Sequence, residues 1–266
     1  MRVSRWFSTA AVAAALLYGG TALAGDGEKK AAKEVPSFGI LRAPAPEAAR
    51  SQALDWLKGV GKTDAKTTQE FDAVWASDRT LLDKVIATFE LGDQSAKKLL
   101  ADAADPGTPA PQAVPAAIKD AKQPGFYRAN LALAYAKALS NRRIYEEGLE
   151  ALKAVKPENV VDPSSYLFYK AVAEHGLLLK AQADDTILRL LDDVVDAPER
   201  HKMVAALMHF DMQQWRDKDL GWITRKMDNI ERRLDLSRGG PKTQKMQKEV
   251  VARLDELIKQ LEKSGD

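Results

Sequence analysis

The sequence predicts an all-α protein, a solenoid or bundle of helix pairs closed by a C-terminal helical hairpin. Three observations carry that expectation. Apolar residues recur at intervals of three and four, and no segment alternates apolar and polar as a half-buried strand does. Pro124, Pro163 and Pro198 each open a long alanine-rich run, a position that suits proline because the first helical turn makes no use of its missing N–H. The tail holds two apolar seams separated by Gly239, Gly240 and Pro241, a helix stop followed by a helix start.

The first 24 residues read as an export signal. Arg2 and Arg5 precede an apolar run too short to span a bilayer, and Ala22-Leu23-Ala24 stands before Gly25 as a cleavage site does. The expected product is periplasmic or secreted, cleaved after Ala24. No later stretch is apolar enough to span a membrane, and the absence of cysteine excludes a lipoprotein anchor and disulfides. Arg2 and Arg5 also account for the formal net charge of +2, because without them 38 basic residues face 38 acidic ones. Such a balanced chain is not expected to bind nucleic acid, which calls for a basic field.

Residues 25–45 form an expected flexible leader with an apolar patch at Phe38, Ile40 and Leu41. An N-terminal helical subdomain is expected over 46–105. Its first helix carries Ala48, Leu54 and Leu57 among charges, Gly59 and Gly61 end it, and Thr63 or Asp64 caps the next. Gly61-Lys62-Thr63 looks like the end of a phosphate-binding loop. That loop needs a glycine five residues before Gly61, where this chain has Trp56, and the residues before it follow a helical pattern instead of a strand. No nucleotide site is expected. Leu81, Leu82, Val85, Ile86 and Phe89 share one face of a further helix, with Asp78 as the expected cap and Gly92 as the stop.

A proline-rich linker is expected over 106–123, followed by helix pairs over 124–216. The three helix-opening prolines lie 39 and 35 residues apart, and Tyr135 and Tyr169 lie 34 apart. With Leu131, Ala132 and the run "YEEGLEALKAVKP", this middle region resembles tetratricopeptide repeats. Arg128 replaces that family's tryptophan, Tyr166 takes its small-residue position, and the turn between paired helices reads as several residues longer. The resemblance implies a concave, peptide-binding groove. The expected hairpin, 217–266, sets Leu220, Ile223, Met227, Ile230 and Leu234 against Val250, Leu254, Leu257 and Leu261. From about residue 124 to the end, and most specifically in "MDNIERRLDLSRGGPKTQKMQKEVVARLDELIKQLEK", the chain resembles a family of secreted all-helical proteins of planctomycete bacteria. That resemblance implies no activity.

Chemistry has few candidates. His175, His201 and His209 are too scattered for a zinc site, and no cofactor or metal pattern is present. Asp184, Asp185, Asp192 and Asp193 lie eight apart in pairs, so an acidic helix face with His201 or His209 is the one place where a hydrolase or lyase is imaginable; acidic charge at a helix start is the plainer reading. The remaining features point to binding by a non-catalytic protein. In the aromatic set of Phe210, Trp215 and Trp222, the tryptophans are either a ligand-stacking shelf or interface anchors, or locks between the last repeat and the hairpin. Between Arg225 and Lys248 there are eight basic and three acidic residues, among them Arg232, Arg233, Arg238, Lys242 and Lys245. This basic tip is either a solvated exterior or a site for an acidic protein partner or an anionic lipid surface.

Overall fold

The computed structural model describes residues 39–265, and among these it is all-α, with twelve helices, one 3-10 turn and no strand. The leader and signal positions up to Phe38 lie outside the described residues. What is described of the leader is held down: Leu41 is buried and bridges Val194, with Gly39 N–H donating to the Asp192 carbonyl at 3.0 Å and Leu41 N–H to that of Asp193 at 2.9 Å.

Helix α1 (Pro46–Gly59) ends as its glycines predict, with Gly61 at φ +77° turning the chain out. Asp64, one of the two expected caps, accepts from Thr67 N–H at 3.0 Å to start α2 (Ala65–Ala76). Gly61-Lys62-Thr63 is therefore a helix break. Helix α3 (Leu81–Gly92) is capped by Thr80, not Asp78. Thr80 Oγ1 accepts from Asp83 N–H at 3.2 Å and donates back to its carboxylate at 2.7 Å, a reciprocal pair that Asp78 stands too early to make. Asp93 then starts α4 (Gln94–Ala104) and accepts the Tyr127 hydroxyl at 2.7 Å.

The proline-rich stretch packs against its neighbours. Val114 and Ile118 are buried, the latter in the single turn α5 (Ala116–Lys119). On either side, Trp56, Phe89 and Tyr127 bring α1, α3 and α6 (Gly125–Asn141) together, with ring centroids 4.7 to 5.0 Å apart. One apolar cluster runs from Leu41 to Met212.

Two helix pairs follow: α6 with α7 (Tyr145–Lys153), and α8 (Pro163–Gly176) with α9 (Lys180–Asp192). Their turns are three residues long, shorter than the sequence reading expected, and they close in the same way. Arg143 and Leu178 take φ of 58° and 60°, while Ile144 N–H reaches the Leu139 carbonyl and Leu179 N–H that of Glu174, each at 2.9 Å. Neither residue is glycine, so the tight closure carries backbone strain that the packed pair offsets. The short turns let Tyr145 seat against Gly176, where an added Cβ would lie 2.5 Å from the ring.

Helix α10 (Glu199–Gln213) packs on α8 and α9, while α11 (Leu220–Asp235) turns away to pair with α12 (Pro241–Gly265). The hairpin forms, but its seam is narrower than expected. Ile223, Ile230 and Val250 are buried, with Trp222, Met246 and Leu257 packed around them. Leu254 is 39% exposed, and Leu220, Met227, Leu234 and Leu261 also face solvent. Each apolar stripe is wider than the edge one partner helix covers, so spacing alone did not separate inner from outer positions.

Candidate functional site

The expected basic tip is largely turned inward. Arg232 makes a two-point contact with Glu146 on α7, Nη1 to Oε2 and Nη2 to Oε1, both at 2.9 Å. Arg233 and Arg238 reach the same carboxylate, and Arg238 also donates to Glu147 at 2.8 Å and to the Pro111 carbonyl at 2.9 Å. The Arg232 and Arg233 side chains are only 3% and 9% exposed, which corrects the expectation of a solvated exterior. Arg232 lies over the Tyr145 ring at 5.1 Å and donates to the Arg143 carbonyl at 2.9 Å. Asn229 braces it at 2.9 Å and itself donates to the Gly176 carbonyl at 3.2 Å. The clasp thus holds the α6–α7 turn through the Arg143 carbonyl and the end of α8 through that of Gly176.

Burial raises the Glu146 carboxyl, but hydrogen bonds and charge from Arg232, joined by Arg238, outweigh it and hold the group at about 2. The folded pKa lies below that of an unfolded glutamate, about 4.3. The clasp therefore contributes fully above that value and is lost as pH falls from about 4 toward 2. Denaturant melts across this range should show a steeper loss of stability in the parent than in Glu146→Gln, which cannot be protonated there and keeps only the loss from other hydrogen-bonded carboxylates such as Asp93; parallel pH profiles would refute the clasp.

The other residues of the expected surface divide. Trp215 is half-buried, its N–H donating to Asp211 at 3.0 Å, with Arg225 over its ring at 4.9 Å and His175 5.2 Å away. Trp222 packs on the hairpin cluster with Lys226 over its ring at 4.9 Å. Both tryptophans lock elements together. Lys242 and Lys245 are exposed. An open cleft of about 440 Å³ beside them is lined by Glu146, Glu147, Arg233 and Arg238, whose charges already face one another. A second, about 580 Å³, lies among α1, α2 and α3, with Arg50 paired to Asp72 at 2.7 Å and Lys84 bonded to the Trp75 carbonyl at 3.0 Å.

The acidic and histidine face does not converge. His209 pairs with Asp184 at 3.0 Å and His175 with Asp211 at 2.9 Å. His201 Nδ1 meets Ser164 Oγ at 2.9 Å while its ring stacks on Phe168 at 4.3 Å; burial lowers its pKa, against the raising charge of Asp162. Ser164 and His201 are both buried, so this pair is closed to a substrate. Asp193 pairs with Arg189 at 3.2 Å, and among the described residues no three histidine or carboxylate side chains gather as a metal site.

Of the outer face of α10, sequence reasoning singled out Phe210 alone and missed the rest. Met203, Leu207 and Phe210 stand 64, 65 and 64% exposed at helical spacing, with Val204 beside them. The neighbouring α9, tied to α10 by the Asp184–His209 pair, leaves Leu188 and Leu191 in solvent too. The signal was present in "HKMVAALMHFDM", where apolar residues occupy every side of the helix. Such a pattern reads as a fully buried helix, and here one side has no cover. Comparisons with protein-family models, curated proteins and solved structures found no match.

Proposed function

We propose that the protein is an exported, non-catalytic scaffold of tetratricopeptide-like helix pairs, and that it binds an amphipathic helix of a protein partner on α9 and α10. The observation that carries this reading is the exposed apolar face of Met203, Leu207 and Phe210 on α10, with Leu188 and Leu191 also exposed on the neighbouring α9. Apolar patches of this kind on a rigid framework mark interaction sites, and side chains at i, i+4 and i+7 accept a helix laid across them. Its floor is firm: Ala205 and Met212 of α10 are fully buried in the main cluster. Repetition of one turn geometry 35 residues apart, at Arg143 and Leu178, supports the repeat character.

Replacing Leu207 and Phe210 by serine removes apolar contact without opening the core. The variant is expected to melt within about 0.5 kcal/mol of the parent, as surface changes do, yet to lose a stoichiometric partner that the parent retains from envelope extract. Retention of that partner by the variant overturns the assignment of this face. Turnover of a small substrate by the purified protein alone overturns the non-catalytic reading.

A further inference from the structure

The hairpin carries a second uncovered face, on different helices and independent of the α10 site. On α12, Val251, Leu254, Ile258 and Leu261 follow one another at intervals of three, four and three and are 57, 39, 53 and 72% exposed. That is the a/d seam of a heptad, and it lies beside the positions that touch α11. On α11, Leu220 and Met227 stand one heptad apart and exposed, flanking the buried Ile223 and Ile230. The helices run antiparallel, since Lys226 pairs with Glu249 at 2.6 Å and Arg253 donates to the Lys218 carbonyl at 2.6 Å. In an antiparallel pair both outer stripes fall on the same side. The opposite edge of α11, with Asn229, Arg232 and Arg233, grips the body. The last turns of α12, with Ile258 and Leu261, run beyond the start of α11.

We propose that this face is covered by a second copy of the chain, α12 against α12 across a two-fold axis. An antiparallel alignment level with Glu256 sets Val251 against Leu261 and Leu254 against Ile258. It lays each overhanging helix end in the groove between α11 and α12, beside Leu220 and Met227. Charge favours this direction. The heptad g positions, Val250 and Leu257, already face α11, so the flanking charges that remain are Lys248, Asp255 and Glu262 at e. Antiparallel pairing sets e against e, giving Lys248 opposite Glu262 twice and one exposed like-charge contact at Asp255. The six apolar side chains offer on the order of 600 Å² per copy before a polar rim is counted, against about 800 Å² per partner in a standard interface. A lipid surface fits less well, because two of the three e positions beside the seam are acidic.

Sedimentation equilibrium of the purified protein tests the assignment. The parent is expected to be a dimer at micromolar concentration. Ile258→Asp and, separately, Leu261→Asp should raise the dimer dissociation constant at least tenfold with unchanged circular dichroism. Both sites are already exposed, so neither change burdens the monomer fold. Lys248→Glu should weaken the dimer, and adding Glu262→Lys in the same chain should restore it. A monomeric parent, a dimer indifferent to both aspartates, or a monomer that instead sediments with anionic vesicles overturns the proposal.

Discussion

Glu146→Ala is expected to destabilise the protein by about 3–5 kcal/mol, the usual consequence of stranding a buried charge. The carboxylate is the common acceptor of Arg232, Arg233 and Arg238, and its loss leaves two guanidinium groups that are under a tenth exposed without their counter-charge. Lifting the hairpin from α7 would hydrate both groups fully, whereas in place they keep only the edge of the open cleft that Arg233 lines. The first visible change should be release of α11 and α12, reported by fluorescence of Trp215, which sits between Arg225 of α11 and His175 of α8, before helix content falls. Lys242→Gln and Lys245→Gln, on the same tip but exposed, should each shift stability by no more than about 0.5 kcal/mol. Denaturant melts of the three variants decide the matter: equal, small effects would mean that the clasp is dispensable.

Phe89→Ala should cost about 3–5 kcal/mol through the lost ring and the cavity it leaves. Phe89 is fully buried and meets Trp56 at 4.7 Å, Tyr127 at 4.9 Å and Phe126 at 5.8 Å. Three helices, α1, α3 and α6, lose contact together. Since the apolar cluster runs from Leu41 to Met212 without a break, the cost is expected to appear as a shift of one cooperative transition followed at both ends of the array. An early, separate transition of residues 46–105, with α6 to α10 unchanged, would mean that the first four helices are an independent subdomain.

The helical signals were legible because each is decided within a turn or two of chain. Gly61, Asp64 and Pro163 act through local backbone angles, caps and missing donors, and those remain the same wherever the helix docks. Where local candidates compete the reading slipped, as at Asp78 and Thr80, because only the one with a reciprocal partner at Asp83 becomes the cap.

The candidate sites were less legible. Arg232, Arg233 and Arg238 read as an external basic patch because their acceptor, Glu146, lies 86 to 92 residues earlier, and nothing in the tail names it. Leu254 and Val250 are equally apolar, yet one faces solvent and the other α11, since a helix stripe shows that some face is covered but not by how much. The α10 face was hidden for the converse reason: apolar residues on every side imply burial on every side. By itself, the sequence determined the all-α class and several helix ends, among them Gly61, Asp64, Gly92 and Pro163, governed by short-range sterics and hydrogen bonding, whereas α11 closes at Ser237 in left-handed backbone instead of at Gly239 and Gly240. Tertiary structure alone decided which charges were neutralised inside and which apolar faces stayed open, because burial and charge pairing depend on what lies opposite in space, and that is set by the packing of the whole chain.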